Sequence, residues 1–332
     1  MTSRRVLLVS PVFHGYWSAI AGALQARGHE VTVHCYDAPV SLRGRVENKL
    51  IHDLPERWRR TAAADSMTDR AVTALRNVRP DVIIVVKGDQ LGSDWWNEVD
   101  RSGAARVTWF YDELRRMRYS AEDLLRIGPI ASYSPLDVAS LTEMGARAQH
   151  VPLAYDSRIS RIAQTQQLIT FVGARYPSRQ DVLQRLYRAG VPVRAYGKTW
   201  SRRPLDVLRT RQFSHPGIPA GPDLNRQAAY GIMEGSSATI NVPGDQDGFT
   251  MRTFEASGVG ALQLVDRSDV QRHYAVGSEV LVFDSFDELL HYSRRALRDT
   301  AWAANIRAAG RRRTMAEHTF DHRARTLEQL WG

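Results

Sequence analysis

Residues 241–262 read Asn-Val-Pro-Gly-Asp-Gln-Asp-Gly-Phe-Thr-Met-Arg-Thr-Phe-Glu-Ala-Ser-Gly-Val-Gly-Ala-Leu. An apolar run precedes them, the glycines, aspartates and proline form a loop, and a helix is expected to start near Thr250 with Arg252 in its first turn. The N–H groups of a helix start have no partner within the helix and attract phosphate oxygens; an arginine beside them adds a forked, charge-assisted contact. Glu255 lies three residues after Arg252, on the same helical face. A carboxylate there can accept hydrogen bonds from sugar hydroxyls without sitting against the phosphates. Gly258 and Gly260 then permit a tight return to the next strand.

Two further loops point the same way. In Phe171-Val-Gly-Ala-Arg-Tyr-Pro-Ser-Arg179, Gly173 allows close backbone approach, and Arg175 or Arg179 is available for a diphosphate. Tyr196-Gly-Lys-Thr-Trp200 ends the following strand with Lys198 in its turn. These three cations read equally as solvated loop charges. In the first half, Pro11-Val-Phe-His-Gly-Tyr-Trp17 joins a strand to a helix and offers His14 and Gly15. Asp89, Asp112 and Glu113 follow later strands, where a carboxylate can act as a base or bind an acceptor hydroxyl. Asp112 is the first choice, because it directly follows the aromatic run Trp109-Phe110-Tyr111, which can stack on a sugar or base.

The elements that must position these residues follow from periodicity. Short Val/Ile/Leu runs such as Val82–Val86 alternate with amphipathic stretches along all 332 residues, the pattern of parallel sheets covered on both faces. A polar stretch from Ala154 to Gln167 interrupts the alternation, which then restarts. The expected division is a first α/β domain over residues 1–155, a second over 168–312, and a terminal helix, 313–332, packing back on the first. Strands are expected at His150–Leu153 and Leu168–Gly173 on either side of the junction. Ligands of such sheets bind beyond the carboxyl ends of the strands. His318 and His322 are four apart, but Phe320, Leu327 and Trp331 mark a packing helix around them.

Several classes are excluded. There is no GxGxxG after the first strand, no Walker-type GxxxxGK[ST], no GxSxG and no zinc spacing, which argues against a dinucleotide oxidoreductase, a P-loop NTPase, an α/β-hydrolase and a zinc enzyme. No apolar run approaches the roughly 20 residues of a membrane helix. A single cysteine, Cys35, permits no internal disulfide and fits a cytoplasmic setting.

In the stretch around Asp247 and Glu255 the chain resembles the GT-B glycosyltransferases, and within them the CgeB-like group, named after a spore-coat maturation protein. The resemblance implies two Rossmann-like domains facing a cleft. In that superfamily an acid, seven residues and a second acid bind the nucleotide-sugar donor; here they are Asp247 and Glu255, with Gly248 and Thr250 between, and Asp247 stands where the wider superfamily usually has Glu. Tyr196-Gly-Lys-Thr-Trp200 resembles the "YG..W" turn of the CgeB-like group and implies that Lys198 lies near the donor. The glycine-containing loop of His14 and Gly15 is one that GT-B enzymes use around donor and acceptor. The resemblance thus implies transfer of a sugar from a nucleoside-diphosphate sugar to an acceptor hydroxyl, with retention and without a cofactor. Asp245-Gln-Asp247 has the DxD spacing that holds a metal-diphosphate in the other main glycosyltransferase fold. It lies just before a helix start that, with Arg252, already neutralises a diphosphate, so no metal is expected.

The net charge of +9 bears on the acceptor. Only Lys49, Lys87 and Lys198 are lysines, so the excess is scattered arginine, densest at Arg57-Arg59-Arg60, Arg115-Arg116-Arg118, Arg202-Arg203 and Arg311-Arg312-Arg313. Such charge fits a solvated face, arginine bias, or phosphate tracking on nucleic acid. The acceptor stays open among sugar, lipid-linked sugar, protein side chain, small metabolite and hydroxylated DNA base. For the last, Trp95, Trp96, Trp109 and Tyr111 are the candidate stacking surfaces for an extracted base, and equally core or wall residues. A second class of reading is a non-catalytic nucleotide- or polyanion-binding module of the same fold.

Overall fold

The computed structural model describes residues 2–38 and 56–331, with the side chains of 56–64 excepted. Lys49 and the side chains of Arg57, Arg59 and Arg60 lie outside the described residues. The chain divides into two compact units, residues 1–152 with 320–332, and residues 153–319. The sequence reading had ended the first domain at 155 and begun the returning tail at 313.

Unit 1 is a six-stranded parallel sheet of β1 (Arg5–Ser10), β2 (Glu30–Cys35), β3 (Val82–Val86), β4 (Ala105–Phe110), β5 (Ile130–Ser132) and β6 (Ala148–His150), in the order β2-β1-β3-β4-β5-β6. Its helices are α1 (Tyr16–Ala26), α2 (Glu56–Val78), α3 (Ser93–Ser102), α4 (Ala121–Arg126), α5 (Pro135–Glu143) and, from the chain's end, α12 (Phe320–Trp331). Val82–Val86 is buried along its whole length, as a strand covered on both faces requires. One face packs Leu7, Val9, Ile83 and Val85 against Trp95, Trp96 and Leu124. Phe320 of α12 lies beside Tyr16 and Trp109.

Unit 2 holds β7 (Gln166–Val172), β8 (Val193–Tyr196), β9 (Ala220–Gly221), β10 (Ser236–Asn241), β11 (Gln263–Val265) and β12 (Leu281–Val282), ordered β9-β8-β7-β10-β11-β12 and all parallel. The chain builds outward from β7 in one direction, then crosses to β10 and builds in the other. This is the doubly wound order with its topological switch between β7 and β10, where open α/β sheets present their ligand crevice. Its helices are α6 (Pro177–Arg188), α7 (Pro204–Thr210), α8 (Arg226–Gly235), α9 (Met251–Gly258), α10 (Phe286–Arg298) and α11 (Thr300–Glu317).

Four elements differ from expectation. The strand expected at His150–Leu153 runs instead over Ala148–His150, where Ile130, Ala131 and Ser132 pair with Ala148, Gln149 and His150; Pro152 has no N–H with which to extend the ladder. Helix α7 and the two-residue β9 carry too short a pattern to register as elements. The tail is two helices, broken at His318 and Thr319. His318 packs among Phe254, Tyr274 and His273, and its carbonyl accepts from the Tyr155 N–H.

Tyr155 is 1% exposed and lies over the last turn of α9. A Cβ on Gly258 would stand 2.4–2.7 Å from three atoms of its ring. Gly258→Ala is therefore expected to destabilise the protein by about 1–3 kcal/mol through overpacking, read as a lower denaturant midpoint with an unchanged slope. An unchanged midpoint would show that Tyr155 yields freely.

Candidate functional site

The predicted donor residues of unit 2 stand at the carboxyl ends of β7, β8 and β10, around the switch. Gly173 follows β7, and its carbonyl accepts from Trp200 Nε1 at 3.0 Å. A Cβ on Gly197 would lie 2.4 Å from that same oxygen, so only glycine lets the β8 turn cross the β7 end this closely. The spacing of Tyr196-Gly-Lys-Thr-Trp200 thus has a packing cause. Thr199 Oγ1 accepts from the Arg175 N–H at 2.7 Å and joins the two loops. Lys198 is exposed on the turn.

Both candidate arginines are held by carbonyls. Arg175 donates to Ser214 O at 2.9 Å, Ser214 Oγ at 3.1 Å and His215 O at 3.2 Å, with Nε on Gln180. Arg179 spans the switch itself, donating to Ala174 O at 3.2 Å on the β7 side and to Val242 O at 2.9 Å on the β10 side. Burial lowers its pKa. Its guanidinium lies 4.7 Å from the Tyr176 ring centroid and 5.5 Å from that of Phe171.

Helix α9 begins after Thr250, whose side chain does not cap it. Arg252 Nη1 stands 2.8 Å from Glu255 Oε2, and the Tyr230 hydroxyl donates to Glu255 Oε1 at 3.2 Å. Glu255 is wholly buried while the Arg252 side chain is a quarter exposed. The carboxylate expected to meet sugar hydroxyls is thus enclosed by its own helix neighbour and a tyrosine. Beneath it, Asn241 Nδ2 donates to Thr253 Oγ1 at 2.8 Å and Gln263 Oε1 at 2.9 Å, and Gln263 Nε2 donates to Ser257 Oγ at 2.9 Å and Thr253 O at 3.1 Å. This buried network ties β10 and β11 to α9.

Two residues at this edge escaped the sequence reading. Arg267, after β11, donates to the carbonyls of Gln246, Asp247 (3.3 Å) and Gly248 (3.4 Å), is braced by Asp269 at 2.6 Å, and lies 4.5 Å from the Phe249 ring centroid. It holds the loop that carries Asp247 and Gly248. Asp266 precedes it with Oδ1 buried and unpartnered, and burial pushes its pKa up to about 6. The only sequence signal for either was position, at a strand's carboxyl end.

In unit 1, His14 and Gly15 follow β1 in consecutive left-handed conformations, with φ 46° and 69°. His14 is exposed. Asp112, after β4, is 3.0 Å from Lys87 Nζ at the end of β3, and both side chains are partly exposed. Lys87 has φ 62° and its carbonyl accepts from the Tyr119 hydroxyl at 2.5 Å. Asp89 is half-buried beside them. Glu113 is wholly buried, 3.0 Å from Arg116 Nε. Trp95, Trp96 and Trp109 are at most 3% exposed, so three of the four expected stacking residues are core residues, while the fourth, Tyr111, is half-buried with its ring centroid 4.7 Å from that of Trp109. Among the described residues, no group of three or more His, Cys, Asp or Glu side chains is placed to hold a metal ion.

Residues 178–329 match the sequence model of a family described as glycosyl transferase-like. Sucrose-phosphate synthase from Thermosynechococcus elongatus superposes with a TM-score of 0.67 at 13% identity, covering 99% of this chain and 98% of that one. HepE from Anabaena, solved with UDP-glucose, gives 0.66 at 10% identity, covering 99% and 100%. A putative UDP-N-acetylglucosamine 2-epimerase from Listeria monocytogenes gives 0.56 at 10%, covering 98% and 95%. No curated protein matches the sequence significantly. The chain therefore has the GT-B fold, two Rossmann-like parallel-sheet units, as the resemblance implies.

Asp266 supplies a test of the site's electrostatics. Its folded pKa lies above the unfolded value of 3.8, so the native state holds the proton more tightly and this group's contribution to stability declines as pH rises from about 4 to about 6. Asp266→Asn should therefore raise stability by about 1–2 kcal/mol at pH 7.5 and change it little at pH 4. Parallel thermal melts at the two pH values check this; an equal effect at both refutes the assignment.

Proposed function

We propose that the protein is a glycosyltransferase that moves a sugar from a nucleoside-diphosphate sugar to an acceptor hydroxyl, with retention and without a metal. The observation that carries this reading is the Arg252–Glu255 pair at the start of α9, on the switch edge of a doubly wound sheet. The fold by itself also serves an epimerase-named neighbour, so the reading rests on the site. The match of residues 178–329 to a glycosyl transferase-like family and the UDP-glucose complex of Anabaena HepE support it.

In this mechanism the bond between the sugar C1 and the diphosphate oxygen breaks, and negative charge grows on the leaving diphosphate. The α9 N-terminus and Arg252 face that charge and stabilise it. Arg252 moves from Glu255 toward the phosphates, and Glu255 then accepts from the ribose hydroxyls. The loop of Asp247, Gly248 and Thr250, held by Arg267, lies against the sugar. Gly173 gives the diphosphate close backbone approach, and Arg175, Arg179 and Lys198 contribute positive potential. The acceptor oxygen bonds to C1 and gives up its proton to the departing diphosphate oxygen, on which the negative charge has grown. In unit 1, Gly15 contributes to donor binding and His14 to catalysis. The Asp112–Lys87 pair offers the acceptor hydroxyl one hydrogen-bond acceptor and one donor. The single cysteine supports a reducing, cytoplasmic setting. A hydroxylated DNA base is the less favoured acceptor, because the tryptophans that would stack on it are in the core.

Arg252→Ala should lower kcat by roughly 10²-fold, as loss of a charge-stabilising donor does, and raise the donor KM less. Glu255→Gln should weaken nucleoside-diphosphate binding by about 1.5–3 kcal/mol in calorimetric titration. Because Glu255 is Arg252's partner, the same change is expected to lower the melting temperature. Chelator should leave turnover unchanged; loss with EDTA and recovery with Mg²⁺ or Mn²⁺ would move the site to Asp245 and Asp247. Absence of both nucleotide binding and slow donor hydrolysis across a panel of nucleotide sugars would favour the non-catalytic module.

A further inference from the structure

Unit 2 carries a surface that the donor site does not use. Leu205 and Leu208 are 67% and 68% exposed, and Phe213 is 69% exposed. Leu205 and Leu208 are three apart on α7 and so share one face of it. The helix is fixed by the residue between them: Asp206 accepts from Ser201 Oγ at 2.6 Å, and that hydroxyl also accepts from the Arg203 N–H at 3.2 Å. Trp200, immediately before, is wholly buried. The single acid of the segment is therefore engaged with the serine that begins it, while the leucines face outward.

Phe213 is tied back to the start of α7 through its carbonyl. Arg211 closes α7 with φ 54°, which reverses the chain, and Arg202 Nη1 then donates to Phe213 O at 3.3 Å. Arg175 holds the next two residues through Ser214 and His215. The three apolar side chains are thus presented by an anchored segment. Around them stand Arg202, Arg203, Arg209 and Arg211, all exposed, and Asp206 is the only acid between residues 200 and 222.

We propose that this face docks on an anionic lipid bilayer, with Leu205, Leu208 and Phe213 entering the headgroup boundary and the four arginines meeting lipid phosphates. Exposed aliphatic side chains rimmed by cations are what an interfacial membrane element requires. The positive rim is complementary to an anionic leaflet. A nucleic acid would match the arginines, but its phosphate surface offers nothing to two leucines, and only Phe213 could stack on a base. The proposal is independent of the reaction at α9.

The test is sedimentation with vesicles of phosphatidylcholine, with and without phosphatidylglycerol, at low and high salt. The full chain is expected to bind the anionic vesicles at low salt and lose most binding at high salt. Leu205→Ser with Leu208→Ser, and separately Arg203→Glu with Arg209→Glu, should each weaken binding by about tenfold or more. Both pairs are exposed, so each variant should melt as the wild type does, which separates lost docking from lost folding. Failure of the wild type to bind anionic vesicles at low salt overturns the proposal. So does wild-type vesicle affinity in the leucine variant, which would reduce the surface to charge alone. Tight binding of a single-stranded oligonucleotide that the leucine variant keeps and the arginine variant loses, without vesicle binding, would reassign the face to nucleic acid. A wild-type dimer that the leucine variant dissolves, again without vesicle binding, would reassign it to a second copy of the chain.

Discussion

The interaction on which the β10–β11 edge of unit 2 depends is the buried pair of amides, Asn241 and Gln263. They sit at register-adjacent strands β10 and β11, where Asn241 pairs with Val265 and Thr239 with Gln263. Together with Thr253 and Ser257 they fasten α9 to the sheet by hydrogen bonds between the sheet and one helix. Burying amides is unfavourable unless each finds its partners, and a network whose members answer one another fixes geometry more narrowly than apolar packing does. Arg252 and Glu255 ride on that helix. Their position relative to the switch at β7 and β10 follows from the amide network below them.

Arginine does a second structural job that explains much of the chain's charge. Arg179 donates to carbonyls of the β7 and β10 loops, Arg267 to those of 246–248, Arg307 to Ser236 and Ser237, and Arg323 to Pro152. Each donates to backbone carbonyls at a loop or at the start or end of a strand. A guanidinium has five donors in a planar fork and suits several carbonyls at once, which an ammonium does less well. The positive charge is therefore partly internal scaffolding, and it does not amount to one docking surface. Arg202, Arg203, Arg209 and Arg211 are different in being exposed around apolar side chains.

The enclosure of Glu255 has a consequence for how the site works. A carboxylate beside a partly exposed arginine keeps the helix start nearly neutral, so an anion arriving there competes with Glu255 for Arg252. In the proposed mechanism an exchange of partners, in which phosphate takes the arginine and the freed carboxylate takes sugar hydroxyls, would couple recognition of the two halves of a nucleotide. Arg267 and Asp269 hold the adjoining loop in place through such an exchange.

The sequence by itself determined the class of fold and the place of the loop between Asn241 and Thr250. Val82–Val86 and its counterparts are continuous apolar runs that only a doubly covered parallel sheet accommodates, and the turn from Asn241 to Thr250 announces itself through glycine, proline and a helix start. Local chemistry carries those signals, so they are legible without partners. Tertiary structure alone decided which side chains are available. The same aromatic letters that suggested stacking at Trp95, Trp96 and Trp109 became core, because burial is set by what packs over a strand from distant segments. Arg175 and Arg179 turned out to hold carbonyls of residues far along the chain, and Asp266 gained its raised pKa from burial at a sheet edge. No spacing rule reports such things, since each depends on a contact between residues whose separation in sequence is unrelated to their separation in space.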